Sequence, residues 1–418
     1  MAGQSAPTQH RRLTQMEADA ICARHDRLWA ARPGGARAVF AWHDLTGLDL
    51  SGRNLSDADF TCAVMNDCRL VGTRLDHAIF FCADMQHADL SEASLKRADL
   101  RGACLRGADL TAADMFEADL REGSIAAADP KMGFRMLEHG RRLSEAQGAI
   151  LAGANLERSR MSGIIAMRAD FTDAVLKDAK LVRANLKQCS MSGCNMAGAD
   201  LSGADLAGAD LRDAVMVGAT LNSCSFDGAQ MEGALTDKPN RDAPLLPYGD
   251  MLRAHALWCE TQGTQGAPSV FDGADLRTLA SIKGYNLTAL SAKGAIFYGL
   301  DMEGVQLQGA QLQGADLRGC NLRRADLRGA RMSRVKLAGA DLREAQMGPL
   351  LLGSDRVLPC DLSRASIKGV DLRGADLRRA VLNDADLSRS DFTGTNVREA
   401  ELEGVVTKGC KGLQLPPK

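Results

Sequence analysis

The chain has 418 residues, 45% of them hydrophobic and 25% charged, and its 51 basic and 53 acidic side chains nearly cancel to a formal charge of −2. That balance excludes a strongly basic nucleic-acid binder as the default and argues against a uniformly acidic rod. No run of apolar residues is long enough to suggest a membrane span, the stretch around Arg11 and Arg12 is not a secretory apolar core, and the twelve cysteines lack C-x-x-C spacing, so a reduced, cytoplasmic protein is expected.

Residues 1–37 hold a lead-in and a helix expected over 14–32. Thr14 and Glu17 form a T-x-x-E capping box, Ile21, Leu28 and Trp29 recur at helical spacing around His25, and Pro33-Gly34-Gly35 stops the run. Its place just before the repeats predicts a cap on the first coil, with a docking or dimerisation helix as the alternative.

A five-residue beat of small, polar, large, polar, polar then occupies 38–125, with its large residue at every fifth position from Phe40 through Leu45, Phe60, Met85 and Met115 to Ile125. The run over 149–236 is one residue out of step, and the run over 271–407 follows a further slip near Phe271 and Leu276. The small position, two before the large one, is mostly alanine, with cysteine at Cys68, Cys189, Cys194, Cys224, Cys320 and Cys360. Both positions are read as inward. A repeat this short buries nothing alone, so the units must wind into a solenoid in which each coil covers the next.

Two segments leave the beat. Residues 126–148, with Phe134, Met136, Leu137 and Leu143 among Arg135, Arg141 and Arg142, are expected to form a projecting basic helix or hairpin, the helix being favoured. Residues 237–270 open with three prolines and offer Asp250 as N-cap to a helix carrying Met251, Leu252, His255, Leu257 and Trp258. A smaller irregularity between Pro349 and Pro359 keeps its phase, which predicts a distorted coil rather than an insertion. The tail, 408–418, has no evident capping helix, so a loop cover or a homodimer contact through the solenoid end is expected.

The A-D-L-x-x units, such as Ala88-Asp89-Leu90, Ala204-Asp205-Leu206 and Ala375-Asp376-Leu377, resemble the pentapeptide repeat family. The resemblance implies an all-β fold, a right-handed quadrilateral parallel β-helix with one quintet per side and twenty residues per coil. Here it would be one solenoid with an N-terminal capping helix and helical insertions. The family's known gyrase inhibitors and protectors, understood as dimeric rod-shaped DNA mimics, make DNA gyrase one candidate partner.

A flat-faced rod with a filled interior offers no cleft in which catalytic groups converge. No catalytic residue, cofactor site or metal site is expected, and direct nucleic-acid binding is not the favoured reading. Partner-binding residues are sought on the segments that leave the beat, at Phe134, Leu137, Arg141, Arg142, His255 and Trp258. The acidic columns in which Asp89 should stack on Asp109 and Asp99 on Asp119 are the second place, beside stacked Arg101 and Arg121. Cys62 and Cys82 should stand on adjacent coils as unpaired surface or groove thiols. The favoured reading is a non-enzymatic protein-interaction scaffold, and the alternative is a DNA-mimic modulator of type II topoisomerase.

Overall fold

The structure, a computed structural model, describes residues 10–129, 133–237, 247–279, 281–353 and 356–413. Backbone bridges recur every twenty residues: Val39 pairs with Asp59, Asp59 with Ile79, Ile79 with Asp99 and Asp99 with Asp119, all parallel. Each quintet contributes one bridge, at the residue before the large one, and then turns. The Ala63 N–H donates to the Phe60 carbonyl at 3.0 Å across such a turn, whose second residue, Cys62, is left-handed with φ 53°. Four turns per coil close a four-sided β-helix.

The alternation places the two apolar positions inside. Ala58, Phe60, Ala63 and Met65 are buried, as are their counterparts in most later coils. Phe60 stacks on Phe40 and on Phe80 at centroid separations of 5.0 and 4.8 Å, close to the spacing of neighbouring strands. At several slots where cysteine replaces alanine its thiol caps a core carbonyl of the preceding coil, as Cys68 does at Leu45 (2.9 Å) and Cys320 at Phe297 (3.1 Å). Burial pushes the Cys68 thiol up to about 11 and the Cys320 thiol to about 12, so both stay protonated and inert.

The chain divides into two compact units, Met1–Lys238 and Pro239–Lys418, each with its own buried cluster. In the first unit, strand β1 (Arg11–Arg12) pairs in parallel with β2 (His43–Asp44), and helix α1 (Gln15–Trp29) follows it with the expected Thr14–Glu17 capping box. Helix α1 buries Ala18, Cys22 and His25, and the Ala38 N–H donates to the His25 Nδ1 at 3.0 Å.

Of the helix or hairpin expected over 126–148, the less favoured form is found, an antiparallel hairpin of β3 (Gly123–Asp129) and β4 (Gly133–Arg142). Cys104 then pairs with Glu145, forty-one positions on rather than twenty. The detour adds twenty-one residues, one more than four quintets, which is the origin of the first phase slip. Buried Ser144 seals the re-entry, accepting from the Gly102 N–H (3.0 Å) and donating to the Arg121 carbonyl (2.8 Å).

The second unit opens as the first does. Helix α2 (Tyr248–Glu260) starts after Pro247, so Asp250 lies in its first turn, where its carboxylate pairs with Arg253, and is not the N-cap. The helix buries Leu252, His255 and Ala256, and the Ser269 N–H donates to the His255 Nδ1 at 3.0 Å. This segment is therefore a second cap and not a projecting insert. Val270 pairs with Ser291 and Asp275 with Ile296, twenty-one apart, which locates the second slip in that first coil.

The in-phase irregularity is an insertion after all. Strands β5 (Leu350–Leu352) and β6 (Arg356–Leu358) form a hairpin, and Arg331 pairs with Asp361 at thirty residues. Ten residues are two quintets, so phase survives. Pro349 and Pro359 both fall on the slot that must be left-handed, and proline's φ is fixed near −65°, so neither turn can close.

Candidate interaction site

On the outer faces, the aspartate before each large residue is used by its own turn. Asp89 accepts the Ser91 N–H (3.1 Å) and hydroxyl (2.6 Å), and Asp109 accepts the Thr111 N–H (2.8 Å). Both belong to one column, since Asp89 bridges Asp109, and Asp99 bridges Asp119 in another column two sides away. Asp99 and Asp119 meet Arg101 and Arg121 two residues on, at 2.7 and 2.6 Å. Burial acts to raise the Asp119 pKa, but the hydrogen bonds and charge of Arg121 outweigh it and hold the carboxyl below its usual range.

The same Asp-Leu-Arg pairing recurs at Asp210–Arg212, Asp275–Arg277, Asp316–Arg318, Asp326–Arg328, Asp341–Arg343, Asp371–Arg373 and Asp376–Arg378. The arginines of these pairs are thus each bound to a neighbouring carboxylate. The acidic columns are likewise interleaved with cations, which dilutes any phosphate-like array.

Of the other expected partner-binding residues, His255 is buried and fully engaged, its Nε2 lying 3.2 Å from the Thr288 carbonyl while Nδ1 accepts from Ser269. Burial lowers its pKa, so it is a neutral structural bolt rather than a contact for a partner. Trp258 is half-buried with its ring 5.8 Å from that of His255. Arg142 is exposed and donates from Nη1 to the Cys82 carbonyl at 3.1 Å. Phe134, Leu137 and Arg141 belong to β4, and their side chains lie outside the described residues. Cys62 and Cys82 are buried, not surface groups, because β3–β4 re-enters beside them through Gly123.

Sequence reasoning missed the β5–β6 hairpin. It holds Leu351, Leu352 and Val357 exposed, Leu351 at 70%, beside a groove of about 500 Å³. Leu350 and Leu351 form the groove's apolar wall, and Arg328, Arg378, Arg379 and Arg398 stand opposite with Asp376 and Glu399. The signal was the pair of prolines on left-handed slots around a leucine triplet. Among the described residues, no three His, Cys, Asp or Glu side chains converge to hold a metal ion, and no helix is long and apolar enough to cross a membrane.

The family model described as pentapeptide repeats matches residues 38–124, 169–235, 286–343 and 360–405 in overlapping copies, more than half of the chain. The chain belongs to the pentapeptide repeat family. The right-handed, quadrilateral β-helix of pentapeptide repeat proteins accounts for the twenty-residue coil. A search of curated proteins found no match. Among solved pentapeptide repeat structures, the chain is similar to HetL, involved in heterocyst differentiation regulation in the cyanobacterium Nostoc sp. strain PCC 7120, at 24% identity over 92% of this chain and 94% of that one (TM-score 0.19). It is similar to QnrB1, a plasmid-mediated fluoroquinolone resistance protein, at 17% identity over 48% and 91% (TM-score 0.25). A pentapeptide repeat protein of the Arabidopsis thaliana thylakoid lumen is 30% identical over 32% and 69% (TM-score 0.18). The family assignment rests on the sequence match, and these superpositions add nothing to it.

Proposed function

We propose that the chain is a non-enzymatic, cytoplasmic protein-interaction scaffold that presents the β5–β6 hairpin to a protein partner. The observation that carries this reading is the exposed Leu351, Leu352 and Val357 on a hairpin anchored at both ends in hydrogen-bonded coils. Exposed apolar side chains on a rigid support lose little order on binding and supply the kind of anchor that dominates interface energy. The β3–β4 hairpin is a second candidate contact, through Phe134, Leu137, Arg141 and Arg142. A homodimer through a solenoid end fits the last coil, where Leu402 is half-buried and Val406 is 50% exposed.

Affinity capture from native extract with the wild type and with Leu351→Asp/Val357→Asp tests the proposal. A specific partner retained by the wild type and lost by the folded variant is expected, and identical captured sets would remove the hairpin from the mechanism. The topoisomerase reading draws on the stacked Asp89–Asp109 and Asp99–Asp119 columns, with Arg101 and Arg121 counting against it. Gyrase supercoiling unaffected by excess protein would end that reading.

A further inference from the structure

Cys62 and Cys82 fill the same slot on successive coils, the left-handed second residue of the turn, with φ 53° and 54°. The Cys62 N–H donates to the Phe81 carbonyl and the Cys82 N–H to the Arg101 carbonyl, each at 2.8 Å. The first of these bonds joins the two turns about 4.8 Å apart, the spacing of adjacent strands, and a disulfide spans Cα separations of roughly 4.4–6.8 Å. The backbone already stands at bonding distance. Neither thiol caps a core carbonyl as those of Cys68, Cys189 and Cys320 do.

The surroundings are shaped to the sulfurs. A Cβ at Gly102 would stand 2.9 Å from the Cys82 Sγ, and one at Gly123 would stand 3.0 Å from it, so the niche exists because both positions lack side chains. Arg142 reaches the Cys82 carbonyl from one side, and the His10 ring lies 2.9 Å from the Cys62 carbonyl on the other. The Cys82 thiol and the Arg142 charge both favour a thiolate on Cys62, whose pKa is lowered, while that of Cys82 is raised. Cys62 is also the more open of the two, 7% exposed against 1%.

We propose that Cys62 and Cys82 form a reversible dithiol–disulfide site oxidised by a small peroxide. The Cys62 thiolate attacks one peroxide oxygen, the O–O bond breaks, and Cys62 becomes a sulfenic acid as hydroxide leaves. The Cys82 sulfur then attacks the Cys62 sulfur and displaces its hydroxyl group. The proton given up by Cys62 when its thiolate forms and the proton of Cys82 join the two released hydroxides as two waters, so two thiols and one hydrogen peroxide give one disulfide and two waters. Equivalent side chains one coil apart have Cβ atoms slightly beyond the usual disulfide range, so the bond pulls the turns together, and such bonds are readily reduced.

The full-length protein is treated with hydrogen peroxide, and its thiols are counted by alkylation. The count is expected to fall from twelve to ten, with a Cys62–Cys82 link in non-reducing peptide maps that dithiothreitol removes. Cys82→Ser should stop at a Cys62 sulfenic acid trapped by dimedone, and Cys62→Ser should form no link at Cys82. Twelve intact thiols, sulfinic acid at Cys62 without a link, or a link to another cysteine would overturn the proposal. The wild-type map decides the matter by itself if either variant fails to fold.

Discussion

The backbone N–H of Ala38 donates to the Nδ1 of buried His25 at 3.0 Å, and this bond ties the N-terminal helix to the strand that enters the first coil. Ser269 repeats the bond to His255 at the head of the second unit, two residues before Phe271 as Ala38 is two before Phe40. Accepting at Nδ1 requires that nitrogen to be unprotonated. Each unit therefore starts with a helix bolted on by a neutral imidazole.

Burial lowers the pKa of both histidines, against Asp26 and Asp57 near His25 and with Arg37. The unfolded chain, with histidines near 6.5, then binds more protons than the folded one as pH falls. Stability is whole above about pH 6.5 and declines in acid. Denaturant titrations at pH 7.5 and 5.5 should show the loss. His25→Asn, which keeps an acceptor but does not titrate, should flatten part of it, and His25→Leu, which strands the Ala38 N–H, should cost about 1–3 kcal/mol at neutral pH.

The Asp-Leu-Arg pairs differ in worth by their burial. The Arg318 and Asp316 side chains are 6% and 9% exposed, while the Arg378 side chain is 55% exposed. Arg318→Ala leaves a buried carboxylate without its cation and should cost about 3–5 kcal/mol, whereas Arg378→Ala, at a solvent-screened pair, should leave the unfolding midpoint nearly unchanged. Urea unfolding of the two variants compares them directly.

Excising residues 350–359 and replacing Pro349 by glycine rebuilds a quintet, Gln346-Met347-Gly348-Gly-Cys360, with glycine on the left-handed slot. The second unit should keep its fold and melting temperature by circular dichroism and lose only the hairpin. Excision with Pro349 retained should be markedly less stable, because the turn still cannot close.

Phe60 sits between Phe40 and Phe80 in the core stack. Phe60→Ala should cost about 3–5 kcal/mol, from lost burial and the cavity it leaves. Amide hydrogen exchange should show the loosening at the neighbouring coils first, since a solenoid's contacts are with its nearest neighbours.

Particular residues show where sequence reasoning reached and where it stopped. The inward placing of Ala58, Phe60 and Cys68, the Thr14–Glu17 cap and the Asp89–Asp109 column were legible because each follows from a local period or a short-range bond. The neutralising of Asp99 by Arg101 was within reach too, since the pair lies two residues apart. At β3–β4 helix and hairpin were both open, with the helix favoured, because its apolar and basic residues suit either form, and only pairing across the turn selects the strand.

The five-residue period by itself determined a solenoid and its lining, because a unit so short buries nothing alone and its two apolar positions must face inward, while the four-sided β-helix with its twenty-residue coil was what the resemblance of the A-D-L-x-x units to the pentapeptide repeat family implied. Tertiary structure alone decided that α2 is a cap and that Cys62 and Cys82 are enclosed. Those outcomes depend on which segment returns to cover which coil, a choice made by packing and hydrogen bonds between residues far apart in the chain, and the repeat's phase carries no information about it.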